Sequence, residues 1–214
     1  MISGFSATPM DMSTGTTVYA SPDERLTHSA CCDLYHYYGI PVWGEAGCCD
    51  SKLLDGQAAM EATATIMMSA LDGCNLIHNM GYLGQGLIGS PAAIVMCNEI
   101  ISYVKRIMRG FSMDLEHISM DAIREVGPGG TFLVHDQTVE LCRTEHWRPQ
   151  LINRENPELW AAGGGKRYSE VVKQKTLEIL ASHKPKTLLP KTVKALDEIY
   201  QTAGKILTEK FLSS

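Results

Sequence analysis

The sequence predicts an α/β protein in which parallel strands alternate with helices packed outside the sheet, and three observations predict it. Short apolar runs alternate along the chain with longer segments of helical periodicity. Helix starts are written clearly, as in Ser21-Pro22-Asp23-Glu24 and Gly89-Ser90-Pro91. Glycine and polar residues gather after the apolar runs and not before them, which is the functional edge of a parallel α/β sheet.

Residues 1–19 read as a turn-rich site loop that holds Asp11 and ends in the β-prone Thr16-Thr17-Val18-Tyr19. Ser21 then caps a helix, with Pro22 at its first position and acids in its first turn, that runs to about Tyr38 and stops at Gly39. Ile40-Pro41-Val42-Trp43 is the next buried strand, and residues 44–51 form the loop after it, carrying Glu45 and Asp50. A second helix spans about Leu54 to Leu71, so covered in alanine and methionine that it must pack on more than one side. Its polar members Asp55, Gln57 and Glu61 fall near the preceding loop, and Glu61 reads as a solvated or capping residue ahead of a site role.

Cys74 to Asn79 is the following strand, with His78 near its end, and a glycine-punctuated loop to Gly86 presents Tyr82 and Gln85. A strand fixes a side chain while a glycine-rich loop admits a ligand, so His78 is the first catalytic candidate. The plain alternative is a core histidine bonded to a neighbouring carbonyl. A third helix runs from Ser90-Pro91 to about Arg109, ending in cations that suit a helix C-terminus. Residues 119–126 read as a short helix, Thr131 to Val134 as an apolar strand before His135, and further helical turns lead through Cys142 toward Trp147. Residues 153–165 are polar and glycine-rich. Two charged helices, about Tyr168 to His183 and Thr192 to Phe211, read as an outer solvated layer. This order brings Asp11, Glu45, Asp50, His78, Tyr82 and His135 to one face. Only about four strands can be counted, half of an eight-stranded barrel and too few to close one, so either the sheet is open or the chain is a fragment.

Composition narrows the function classes. Acidic residues outnumber basic ones, 24 against 19, and no basic stripe occurs, which argues against a nucleic-acid partner. The first ten residues lack both a charged start and a sustained apolar run, so neither a signal peptide nor a membrane helix is expected. Seven cysteines, with Cys31-Cys32 and Cys48-Cys49 adjacent, fit a reducing cytoplasm better than a disulfide framework. No Cys-x-x-Cys spacing occurs and no metal site is assigned; a thiolate of Cys48 or Cys49 acting with His78 or His135 on zinc is the minor alternative.

The runs Asp11-Met12-Ser13-Thr14-Gly15, Tyr38-Gly39-Ile40-Pro41, Asp50-Ser51-Lys52-Leu53-Leu54-Asp55-Gly56-Gln57-Ala58-Ala59, Gly73-Cys74-Asn75-Leu76-Ile77-His78 and Val126-Gly127-Pro128-Gly129-Gly130-Thr131-Phe132-Leu133 follow one another in this order. Together they resemble the C-terminal half of the trimethylamine/glycine betaine:corrinoid methyltransferase family, across nearly the whole chain. The resemblance implies half of a (β/α)8 TIM-type barrel over residues 1–150 and a helical extension over residues 151–214. It implies methylamine metabolism and methanogenesis, with a methyl group passing from a quaternary or tertiary amine to the Co(I) of a separate corrinoid protein. No cofactor is then bound directly, because the corrinoid travels on the partner. His78 would be catalytic, with Asp11, Glu45, Asp50, Tyr82, Gln85 and His135 binding substrate and Trp43 joining a cation-friendly wall. Trimethylamine enzymes of the family carry pyrrolysine; this chain has ordinary residues throughout, which favours a quaternary donor such as glycine betaine. As a half-barrel the chain is expected to self-associate or to pair with a separate N-terminal half. The alternative is an inactive remnant or binding subunit.

Overall fold

The computed structural model describes residues 3, 4 and 7–212, so the reading of the opening segment falls partly outside the described residues. The parallel unit forms where the sequence places it. Strand β3 (Trp43–Glu45) pairs in parallel with β4 (Leu76–His78), in the register Trp43 with Leu76, Gly44 with Ile77 and Glu45 with His78. Ser3 extends this arrangement by a parallel bridge to Val42. The strand begins later than the apolar run suggests because Pro41 has no N–H to give; its carbonyl instead accepts the Ser3 N–H at 3.0 Å.

Helix α1 (Pro22–Tyr37) precedes β3, α2 (Gly56–Leu71) crosses from β3 to β4, and α3 (Pro91–Arg109) follows β4. Local capping chemistry starts all three. Ser21, Asp55 and Ser90 each accept a backbone N–H three residues on, from Glu24, Ala58 and Ala93. The core lies mainly between α2 and α3, where Ala58, Ala62 and Ile66 repeat every four residues against Ala93, Met96, Cys97, Ile100 and Val104. Alanine at three of these positions lets the two backbones approach closely, and Met96 fills the space between them.

The loops after the strands are themselves structured. Hairpin β1 (Met10–Asp11) with β2 (Thr16–Thr17) stands between the Ser3 bridge and α1, and hairpin β5 (Tyr82–Leu83) with β6 (Ile88–Gly89) stands between β4 and α3. The predicted fourth strand at Thr131 to Val134 does not form. A short apolar run becomes a strand only where a sheet edge takes its backbone groups. Here the Phe132 carbonyl accepts the His135 N–H at 3.2 Å and closes a turn. The chain after α3 instead folds into short helices α4 (Leu115–Ile118), α5 (Met120–Val126), α6 (Asp136–Leu141) and α7 (Pro157–Ala162). The parallel sheet is accordingly smaller than four strands, although its helix crossovers are present.

The chain divides into two compact units, residues 1–177 and 178–214. Helix α8 (Tyr168–Ser182) runs across the division and buries Val172 and Thr176, and α9 (Pro190–Leu212) occupies the second unit. Among the described residues, no helix is long and apolar enough to cross a membrane.

Candidate functional site

Three consecutive loops at the C-terminal side of the parallel strands are hydrogen-bonded into one assembly. The first loop meets the second where Asp50 Oδ1 accepts the Tyr19 N–H at 3.1 Å. The second meets the third through Cys49 N–H to the Tyr82 carbonyl at 3.1 Å, Gly84 N–H to the Ser51 carbonyl at 2.8 Å and Gln85 N–H to the Cys49 carbonyl at 3.2 Å. Glu61 reaches up from the first turns of α2 and accepts the Asp50 N–H at 2.7 Å, which makes it a capping residue for this loop.

Glu45 and His78 stand opposite each other in the β3–β4 register, and Asn79 joins them. Asn79 Nδ2 donates to Glu45 Oε2 at 3.0 Å, so its Oδ1, 2.7 Å from His78 Nδ1, must accept. That makes His78 Nδ1 the donor in this pair and leaves Nε2 outside it. Asn79 achieves this bridge at φ 75°, a left-handed conformation that asparagine tolerates better than most residues. Alternation puts Trp43, Glu45, Leu76 and His78 on one face of the pair. The rings of Trp43 and His78 meet edge to face with centroids 5.2 Å apart, and Trp43 is exposed.

Glu45 is less available than an acidic wall would need to be. Its Oε1 takes Arg25 Nη2 at 3.4 Å, and its backbone carbonyl accepts Arg25 Nη1 and the Ser69 hydroxyl, both at 2.8 Å. Arg25 is buried and also contacts the fully buried Glu24. Burial pushes the Glu24 carboxyl up to about 7 against the opposing pull of Arg25, and the Glu45 charge adds to the rise. Sequence reasoning missed Glu24, Arg25 and Asn79. A signal existed, because a cation in the first turn of a helix opposes the helix dipole and calls for a carboxylate beside it.

The other predicted residues separate. Asp50 Oδ1 holds a loop junction. Asp11 Oδ1 accepts the Ser13 N–H at 2.7 Å and its hydroxyl at 2.6 Å, and these bonds hold its carboxyl below the usual range, so it caps its own hairpin. Tyr82 and Gln85 contribute backbone groups to the loop assembly, with the Tyr82 side chain exposed. His135 does not join them. It caps α6 by accepting the Gln137 N–H at 3.3 Å and lines a different cavity of about 440 Å³ with Arg106, His117, Glu145 and His146. It parts from the others because the run before it turns instead of entering the sheet. Burial pushes the Cys48 and Cys49 thiols up to about 12, which keeps them protonated at neutral pH. Among the described residues, the metal-type cluster is His28, Cys32 and Cys74, not one built on Cys48 or Cys49.

The sequence profile of trimethylamine methyltransferase (MTTB) matches residues 1–203. The chain is 33% identical over 198 residues to trimethylamine methyltransferase MttB of Desulfitobacterium hafniense (strain DSM 10664 / DCB-2), covering 92% of this chain and 40% of that protein. It is 35% identical over 185 residues to the MttB of Methanosarcina thermophila, covering 86% and 38%. The glycine betaine methyltransferase of Desulfitobacterium hafniense (strain Y51) is 30% identical over 215 residues, covering 98% and 44%. The chain thus spans about two fifths of the length of these relatives. With its loops gathered after the parallel strands and its sequence matched over nearly all its length, the chain belongs to the trimethylamine methyltransferase family.

Proposed function

We propose that this chain supplies part of a site that moves a methyl group from a quaternary or tertiary amine, glycine betaine-like in preference, to the Co(I) of a cognate corrinoid protein. The observation that carries the reading is the Glu45–Asn79–His78 relay at the strand ends, beside the exposed Trp43. Relatives named for trimethylamine and for glycine betaine support the methyl-transfer class.

The reduced corrinoid is the second substrate and supplies the nucleophile. This chain's share of the work is to bind and orient the donor and to keep water from its methyl carbon. Trp43 offers a π face for a methylated ammonium, worth roughly 0.5–2 kcal/mol depending on how dry the contact is. The His78 ring, fixed by Asn79, stands edge to face with Trp43 at the same strand ends. A quaternary donor leaves as a neutral amine, so no general acid is needed. Because the chain spans about two fifths of its relatives, the remaining wall would come from a barrel half in the same polypeptide or in a separate one. A binding subunit without turnover is the second reading, favoured by that same fraction.

The test measures loss of Co(I) absorbance with a panel of methylated amines, using the chain alone and the chain supplemented with an N-terminal half of a full-length relative. Donor-dependent transfer that drops sharply in His78→Ala is the expected result. Transfer unchanged by His78→Ala would remove His78 from the site, and saturable betaine binding with no transfer in either arrangement would replace the enzyme with the binding subunit.

A further inference from the structure

Behind β3, on the face opposite Trp43 and Glu45, three ligand-type side chains meet. His28 and Cys32 stand one turn apart on α1, and Cys74 comes from the turn between α2 and β4. Cys32 Sγ lies 3.7 Å from Cys74 Sγ and 3.6 Å from His28 Nδ1, and one donor atom from each of the three residues falls within 4.8 Å of the others. Around a tetrahedral zinc ion with Zn–S near 2.3 Å and Zn–N near 2.0–2.1 Å, neighbouring sulfurs stand about 3.8 Å apart and a sulfur and a nitrogen about 3.6 Å apart. Both measured separations match those edges. Asp72 Oδ2 stands 3.3 Å from His28 Nδ1 and accepts the Ser29 hydroxyl at 2.9 Å, which brings a carboxylate to the His28 side of the cluster.

The surroundings agree. His28 is 5% exposed and Cys32 1%. A Cβ at Gly44 would fall 2.4 Å from Cys74 Sγ and 3.2 Å from His28 Nε2, so the glycine lets β3 pass against the cluster.

We infer that His28, Cys32 and Cys74, with Asp72 beside His28, form a largely buried zinc site that ties α1 to the turn before β4. Binding exchanges two thiol protons for two Zn–S bonds, with no change of oxidation state. The mixed imidazole and thiolate set suits zinc better than a hard cation. Its burial makes it a structural clamp, and the clamp acts one turn along α1 from Arg25, the residue that holds Glu45. A disulfide between the same sulfurs would need them near 2.05 Å and would leave His28 with no part in the cluster.

The experiment takes the full chain in a thiol-free reductant, strips it with a chelator and titrates it with Zn2+ and Co2+. One zinc retained per chain after desalting is expected. Cobalt should give thiolate charge-transfer absorption and the intense visible bands of a tetrahedral centre. Those bands should vanish in Cys32→Ser and Cys74→Ser and persist in Cys142→Ser, with circular dichroism reporting the folding of each. Should a serine variant unfold, alkylation of the unaltered chain decides, because zinc should slow alkylation of the half-buried Cys74 and a chelator should restore it. Absent cobalt bands in the folded chain, bands that survive loss of both cysteines, or shielding of that pair by a disulfide alone would overturn the site.

Discussion

Replacing Glu24 with glutamine should remove a pH dependence of stability that one buried carboxyl creates. Glu24 is fully buried against Arg25 and close to Glu45, and burial raises its pKa from an ordinary 4.5 to about 7. The folded chain therefore keeps this proton to higher pH than the unfolded chain does. The group's stabilising contribution is fully present below about pH 4.5 and is lost as pH rises through about 7. At about 1.36 kcal/mol per pKa unit, the span between pH 5 and pH 8 covers roughly 2–3 kcal/mol. Glutamine has the same shape and does not titrate. Urea unfolding of both proteins across that range gives the assay, read as the difference between them so that His28 and other groups cancel. Glu24→Gln should gain relative to the unaltered chain by that amount between pH 5 and pH 8. A difference that stays flat across the range would refute the buried, raised carboxyl, and one of opposite slope would mean that Arg25 dominates burial.

Three further outcomes follow from packing and hydrogen bonding. Gly44→Ala puts a methyl group 2.4 Å from Cys74 Sγ and should cost about 1–3 kcal/mol by overpacking, measured by denaturant unfolding. Buried Glu99 accepts the N–H groups of Gln150 at 2.8 Å and Leu151 at 3.0 Å with one carboxylate oxygen; Glu99→Ala should cost about 3 kcal/mol or more and speed amide exchange at residues 150–151. Met96→Ala, emptying the space between α2 and α3, should cost about 2–5 kcal/mol by thermal unfolding.

The helices were legible because their signals are local. A capping side chain, a proline at the first position and a terminating glycine mark α1 within a few residues of sequence, and the same pattern at Asn156-Pro157-Glu158 marks α7, hidden in the reading by a polar, glycine-rich setting. Strands were harder, since a strand exists only with its partner. Thr131 to Val134 is as apolar a run as β4 but has no paired edge, whereas Tyr82-Leu83 and Ile88-Gly89 find each other across a glycine turn and make a hairpin inside an apparent loop. The site divides in the same way. Glu45 and His78 were visible as polar residues near the ends of apolar runs. Arg25 reaches Glu45 from 20 positions away and Cys74 reaches Cys32 across 42, and no spacing rule joins them.

The electrostatic arrangement around β3 constrains how a cationic donor could be held. Glu24, Arg25 and Glu45 sum to zero charge when Glu24 is protonated and to minus one when it is not, and a pKa of about 7 places the chain between those states at neutral pH. An unopposed carboxylate about 4 Å from an ammonium near the protein surface is worth about 4 kcal/mol. Glu45 has Arg25 on one oxygen and Asn79 on the other, so most of that attraction is already spent inside the protein. On the proposed reading, donor recognition therefore leans on the π face of Trp43 and the fixed ring of His78. On that reading Arg25 also sets how firmly the ring is presented, because Arg25 holds Glu45, Glu45 holds Asn79, and Asn79 holds His78.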